Sequence, residues 1–185
     1  GDKDGTDVVR TYMDYVAVVV AETPELAAKG VDLVRVEYDD LPAVFDAEAA
    51  MQADAPQLHP DTPKNILAQY RIRKGSLDGI WEQCTAIVED EYETTWQEHA
   101  YLQPEAGLSY IDDGGRVTVV VAGQWTHEDQ EQVYHALGLP QEQVRIVYPA
   151  IGGAFGGRED MSVQIVLALA AWKLRRPIKT IWSRE

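Results

Sequence analysis

Tyr148-Pro149-Ala150-Ile151-Gly152-Gly153-Ala154-Phe155-Gly156-Gly157-Arg158-Glu159 decides how the chain is read, because it sets four glycines between an apolar strand and a long apolar helix. Upstream, Val144 to Tyr148 alternates β-branched residues as a strand does. Downstream, Asp160 to Leu174 contains neither Gly nor Pro and predicts a helix. Glycines let the backbone adopt positive φ and bring bare N–H groups against a ligand. A helix starting beside them would aim its free N–H groups and positive dipole end at the same spot, which favours an anionic or oxygen-rich ligand. Two phosphate fingerprints fail here. Gly152 to Gly157 has the Walker A spacing, but Arg158 stands for the lysine and Glu159 for the hydroxyl residue that would ligate magnesium. No glycine triple has the Gly-x-Gly-x-x-Gly spacing of dinucleotide folds. A ligand-free strand-to-helix turn is the plainer alternative, and it needs fewer glycines.

Working outward, the chain has 185 residues, of which 45% are hydrophobic, enough for a real core. Its 16 basic and 31 acidic residues give a formal net charge of −15, a surface that repels nucleic-acid phosphates and anionic lipid. No apolar run reaches the roughly 18 residues of a membrane helix, and the N-terminus lacks a signal-peptide pattern. Nucleic acid and membrane are therefore not expected partners. Cys84 is the sole cysteine, so the chain cannot hold an iron–sulfur cluster with its own thiolates, and a reducing cytoplasm is the expected location.

Near the N-terminus, the near-continuous apolar run Tyr15 to Ala21 predicts a strand covered on both faces. Thr23 as N-cap, Pro24 at the first helical position and Gly30 as stop predict a short helix, and Val31 to Tyr38 a second strand. Pro42, Pro56, Pro60 and Pro63 mark an extended connector with a helix at Ala47 to Ala53 and a solvated His59. Ala86 to Tyr92 predicts a strand with an acidic edge. Gln97 to Glu105 is rich in amides, carboxylates and an imidazole, but Glu98 and His99 would face opposite sides of a strand, so loop anchoring by hydrogen bonds is favoured over direct chemistry. Asp112-Asp113-Gly114-Gly115 predicts a hairpin between Leu108–Ile111 and Arg116–Ala122. Thr126 as N-cap with Asp129 at the third position predicts a helix over Glu128 to Leu137, ended by Gly138 and Pro140, with Val133, Ala136 and Leu137 buried. Val163, Val166, Leu167, Ala170 and Leu174 are expected to pack the last helix onto the sheet. This order puts Gln124 and the glycine loop at the carboxyl ends of two strands, where open α/β sheets collect ligands if the strands are parallel neighbours.

These motifs carry a resemblance. Gly153-Ala154-Phe155-Gly156-Gly157-Arg158-Glu159 resembles the Gly-Gly-x-Phe-Gly-Gly-Lys-Glu loop of the large subunit of molybdenum hydroxylases, the xanthine dehydrogenase and aldehyde oxidase family. Gln97-Glu98-His99-Ala100-Tyr101-Leu102-Gln103-Pro104-Glu105, Gly123-Gln124-Trp125-Thr126-His127 and Arg176 to Glu185 resemble further segments of that family in the same order. Arg158 in place of lysine and Ala154 in place of a frequent glycine are the departures.

The resemblance implies a mixed α/β (α+β) chain: the end of an α/β hammerhead domain over residues 1–45, a connector over 46–80, and the first part of the molybdopterin-binding domain over 81–185. It implies an oxidoreductase that hydroxylates a purine-like heterocycle or an aldehyde with water-derived oxygen. Gln124 would hydrogen-bond an oxygen on the metal. Gly153, Ala154, Phe155, Gly156 and Gly157 would contact a molybdopterin cofactor, in its simple or cytosine dinucleotide form, and Glu159 with Arg158 would meet the substrate. No side chain here would ligate the metal. Iron–sulfur clusters and FAD would sit on other domains or subunits, with the rest of the molybdopterin subunit as partner. The family's general-base glutamate and most cofactor loops lie downstream of such a region. The 185 residues alone are thus expected to carry no cofactor and turn over no substrate. The competing expectations are an anion- or nucleotide-binding α/β module without catalysis and a non-catalytic interaction protein.

Overall fold

The computed structural model describes residues 8–183, which fall into two compact units. One unit gathers the residues up to Ala17 with Leu33–Thr94, and the other joins Val18–Asp32 to the residues from Thr95 onward.

The second unit holds the sheet. Strands β1 (Ala106–Ile111), β2 (Val117–Val121), β3 (Val144–Val147) and β4 (Ile178–Ile181) lie in the order β3-β2-β1-β4. β1 pairs antiparallel with both β2 and β4, whereas β2 and β3 run parallel. The hairpin forms where its turn residues predict it. One carboxylate oxygen of Asp112 accepts from the amides of Gly114 and Arg116, and Gly115 takes φ 78°. The Arg116 amide first, and the Arg116 and Thr118 side chains after it, hold the Asp112 carboxyl below its ordinary range.

Between β2 and β3 the chain crosses over through α3 (Thr126–Leu137), which ends at Gly138 in the left-handed region, φ 64°. Helix α4 (Gln164–Leu174) follows the glycine loop. The two helices pack on each other, α3 covering β3 and α4 covering β1 and β2. Val117, Val119, Val121, Val133, Val144, Val163, Leu167 and Ala168 form the core between them, none more than 2% exposed. Val133 is buried as expected, but Ala136 and Leu174 face solvent. Ala168 and Ala171 are fully buried instead.

Two expected helix starts are corrected. α3 begins at Thr126 itself, and neither Thr126 nor Trp125 caps it through a side chain. Asp129 is turned into the interior. α4 begins at Gln164, not at Asp160. The Ser162 hydroxyl is drawn to Glu105 and the Ser162 amide to the Gln164 side chain, which folds residues 160–163 into a turn.

Towards the N-terminus, α1 (Pro24–Val31) forms with Thr23 accepting from the Leu26 amide at 3.3 Å, and it includes Gly30 within its last turn. α2 (Ala47–Ala50) is shorter than predicted and is capped by Asp46 at 2.7 Å. The strands expected at Tyr15 to Ala21, Val31 to Tyr38 and Ala86 to Tyr92 are not formed among the described residues. Apart from half-buried Val19, their apolar side chains are exposed, Leu33 at 76% and Val88 at 85%. A strand requires a neighbour to complete its ladder, and no described segment pairs with these.

Candidate functional site

Because β2 and β3 are parallel neighbours, the residues after both strands leave the sheet at one edge. Gln124 and the glycine loop meet there. The Gln124 amide N–H donates to the Arg158 carbonyl at 3.1 Å, and the Arg158 N–H donates to Gln124 Oε1 at 3.2 Å. With Oε1 committed as acceptor, the Gln124 side chain presents its NH₂ group as a donor. Gln124 also lines an open concavity of about 530 Å³ with Trp125, Thr126, His127 and Glu128.

The loop's own backbone is held at chosen points. Gly152 donates to Gln103 Oε1 at 2.6 Å and accepts from the Gln103 amide, while Gly157 donates to the Ala154 carbonyl at 2.9 Å. Between these fixed amides, the N–H groups of Gly153, Ala154, Phe155 and Gly156 have no hydrogen-bond partner among the described residues. Phe155 takes φ 54°, an uncommon conformation for a bulky residue, and Gly156 takes φ 86°. The Phe155 ring is 76% exposed. Gly157 is glycine for a different reason: a Cβ there would lie 2.8 Å from the Tyr101 ring and 2.9 Å from His99 Cγ.

Arg158, expected at the substrate, is 3% exposed and turned away from solvent. Its Nη1 lies 3.3 Å from Glu105 Oε1, its Nη2 donates to the Gln103 carbonyl at 2.6 Å, and its guanidinium sits 4.3 Å from the Tyr101 ring centroid. Glu105 in turn accepts from the Tyr101 hydroxyl at 2.8 Å and the Ser162 hydroxyl at 2.6 Å. Burial first, and the bond to Glu105 second, push the Tyr101 phenol up. Gln97 to Glu105 therefore anchors the loop through Gln103 and Glu105. The planar fork of arginine reaches a carboxylate and a carbonyl together, a geometry a lysine ammonium cannot copy.

Glu159 is half-buried and lies outside α4, so the helix-end role open to it in the sequence does not apply. Its Oε1 and His99 Cδ2 each lie 4.0 Å from where a Gly156 Cβ would be, which puts both side chains beside the free amides. The sequence reading gave His99 a loop-anchoring role, Asp129 a helix-start role and Tyr148 a strand end, and did not name Gln164; all four contact or tether this loop. Gly123, a glycine at the end of a strand, does not take positive φ and instead admits the close approach of the Tyr148 hydroxyl.

The edge thus offers unpartnered amide donors in a glycine cradle, one oriented carboxamide NH₂ and one carboxylate. Such a donor set suits oxygen and sulfur atoms of a bound group and, with no cation in it, suits a bare triphosphate poorly. No group of three or more His, Cys, Asp and Glu residues that could hold a metal ion occurs among the described residues.

The model of the molybdopterin cofactor-binding domain matches residues 58–185. The chain is 41% identical over 97% of its length to the nicotinate dehydrogenase large molybdopterin subunit of Eubacterium barkeri, and spans 42% of that protein. It is 36% identical over 97% of its length to xanthine dehydrogenase 1 of Arabidopsis thaliana, spanning 13% of it. The aldehyde oxidoreductase of Desulfovibrio gigas superposes over 88% of the chain with a TM-score of 0.77 and 23% identity, and the match covers 18% of that structure, a likeness of fold. The chain therefore spans less than half the length of these relatives, and by the match over residues 58–185 it belongs to the molybdopterin cofactor-binding domain family.

Proposed function

We propose that the edge formed by Gln124 and Gly153, Ala154, Phe155, Gly156 and Gly157 receives the metal end of a molybdopterin cofactor. The protein carrying it would hydroxylate a purine-like heterocycle or an aldehyde with oxygen from water. The observation that carries this reading is the set of unpartnered amides through Phe155 and Gly156, beside a Gln124 side chain whose NH₂ is left as donor. When bound, the cofactor supplies the two-electron oxidation of carbon. The chain's own residues bind and orient. The amides of Phe155 and Gly156 would donate to polar atoms of the cofactor, and the Gln124 NH₂ would donate to an acceptor at its metal end. The Glu159 carboxylate accepts a hydrogen bond from a ring N–H of the substrate. Arg158 serves the substrate indirectly, by holding the loop against Glu105.

This reading brings with it the domain layout of residues 1–45, 46–80 and 81–185. It also brings the remaining molybdopterin-binding chain as partner, iron–sulfur and FAD domains or subunits as electron acceptors, and a cytoplasmic location. The cytosine dinucleotide form of the cofactor is one of its two versions. Among the described residues no helix is long and apolar enough to cross a membrane. The test is the pterin and molybdenum content of the full-length protein, purified from a host that makes the cofactor, for the wild type and for Gln124→Leu. Stoichiometric molybdopterin in the wild type, reduced in the variant, is expected. A wild-type protein without pterin that binds nucleotide in calorimetry would overturn the reading.

A further inference from the structure

Asp129 is a carboxylate in a place that disfavours one. It is 1% exposed, burial raises its carboxyl above the ordinary range, and no cation is paired with it among the described residues. A buried anion without a counter-ion is destabilising unless hydrogen bonds compensate it. Two do, and both end on the same oxygen. The Tyr148 hydroxyl donates to Asp129 Oδ2 at 2.6 Å, and Gln164 Nε2 donates to it at 3.0 Å.

The positions of these donors in the chain give the arrangement its meaning. Tyr148 is the first residue after β3, where the glycine loop begins, and Gln164 is the first residue of α4, where it ends. One oxygen at the start of α3 therefore ties both ends of the segment between them. Gly123 makes room for this: its Cβ would lie 2.2 Å from the Tyr148 hydroxyl oxygen, and Gln124, bonded to Arg158, comes next in the chain. From Gln164 the network continues inward along the loop. Gln164 Oε1 accepts from the Ser162 amide at 2.8 Å, and the Ser162 hydroxyl reaches the Glu105 carboxylate that pairs with Arg158.

We propose that Asp129 is a positioning residue that clamps both ends of the glycine loop, through the Tyr148 hydroxyl and the Gln164 carboxamide, and thereby fixes where the Phe155 and Gly156 amides stand. The cofactor-cradle reading of that loop gives the clamp its purpose, but the clamp itself is a property of the cofactor-free protein. Asp129 touches no substrate. A hydrophobic residue of similar size would fill its volume at less electrostatic cost, yet it could not hold two separate chain ends in register.

The experiment is site-resolved amide hydrogen exchange on the full-length, cofactor-free protein, read at the hydrogen-bonded amides of Gly152, Gly157, Arg158 and Ser162 and, as reference, at the paired amides of β1 and β2. Tyr148→Phe removes one donor with little change of shape and is expected to speed exchange of the loop amides by about tenfold, leaving the sheet within about twofold. Asp129→Leu is expected to do more. Asp129→Asn retains an acceptor oxygen and is expected to keep the loop within about twofold of wild type. Loop exchange unchanged in Tyr148→Phe, or loop and sheet rising by the same factor, would overturn the clamp, as would an Asp129→Asn variant as loose as Asp129→Leu. Because no cofactor is present, these failures leave the cofactor reading standing. Wild-type protein with a protected loop that takes up no molybdopterin would instead overturn the cofactor reading and leave the clamp.

Discussion

Residues 33–94 and residues 95–183 draw on the same kinds of apolar side chain and treat them in opposite ways. In the first region Phe45, Leu67, Tyr70 and Ile72 are 88% exposed or more. In the second, Val117, Val119, Val133 and Leu167 are at most 2% exposed, and even the charged Glu105, Asp129 and Arg158 are covered. The difference lies in pairing. β1 finds partners on both sides and two helices close over the sheet, whereas the apolar residues of the first region meet no opposing sheet among the described residues. Apolar content supplies the driving force for burial, but only complementary elements convert it into a core.

The sharpest way to break this contrast is at the buried ion pair. Glu105→Ala leaves the Arg158 guanidinium buried without its counter-ion and the hydroxyls of Tyr101 and Ser162 without their acceptor. The expected loss is about 3–5 kcal/mol of unfolding free energy by denaturant titration. A loss below about 1 kcal/mol would mean that the pair is solvated like a surface one. Leu167→Ala comes next. It empties a fully packed site between α4 and the sheet and should cost about 2–5 kcal/mol by the same measurement, with the strand order retained.

Legibility in the sequence follows the same division. The hairpin at Asp112 to Gly115 and the end of α3 at Gly138 were readable, because local turn chemistry specifies them, whereas the parallel pairing of β2 and β3 entered the sequence reading only as a condition. The expected strands at Tyr15 to Ala21 and Val31 to Tyr38 did not form, since a ladder depends on a partner that a single segment's pattern does not contain. At the site, the anchoring role of Gln103 and Glu105 was legible from the polar run. The start of α4 was not. It is set by Ser162 reaching Glu105 across the fold, a tertiary bond that overrides helix propensity. Asp129 had a local reading as an N-terminal helix residue, and that reading concealed its long-range bonds to Tyr148 and Gln164.

Glu159 tests whether this packed region delivers chemistry at its rim. If the full-length protein has the proposed activity, Glu159→Gln is expected to cost a heterocyclic substrate about 1–3 kcal/mol in transition-state binding, read from kcat/KM, while an aldehyde without a ring N–H loses little. Equal losses for both substrates, with a lower Tm, would assign Glu159 to stability alone. Its place outside α4 already removes the helix-end explanation for such a residue.

A pH series sharpens the contrast within the core. Burial raises the folded-state carboxyl of Asp129 against the bonds from Tyr148 and Gln164, so the folded chain holds that proton more tightly than the unfolded chain, whose value is about 3.9. Stability from this group is therefore complete below about pH 4 and is lost as pH rises through the folded-state value, after which it is level. The difference in unfolding free energy between wild type and Asp129→Asn, which does not titrate, should fall over that interval. A difference that rises with pH would reverse the assignment.

The smallest effect is expected at Phe45, and it bears on the contrast most directly. Its side chain is 98% exposed, so Phe45→Ser in the 185-residue chain removes no buried contact and should change the unfolding free energy by less than about 0.5 kcal/mol. The same substitution in a protein carrying more of the relatives' length is the informative partner. Exposed aromatic side chains in such number, among them Tyr12, Tyr70 and Tyr92, leave apolar area in water. If further chain covers Phe45, the substitution should cost about 3 kcal/mol or more there, as for a buried aromatic side chain, and nothing in the shorter chain. A large loss already in the 185-residue chain would show that residues 33–94 carry a core of their own, and the contrast between the two regions would fall.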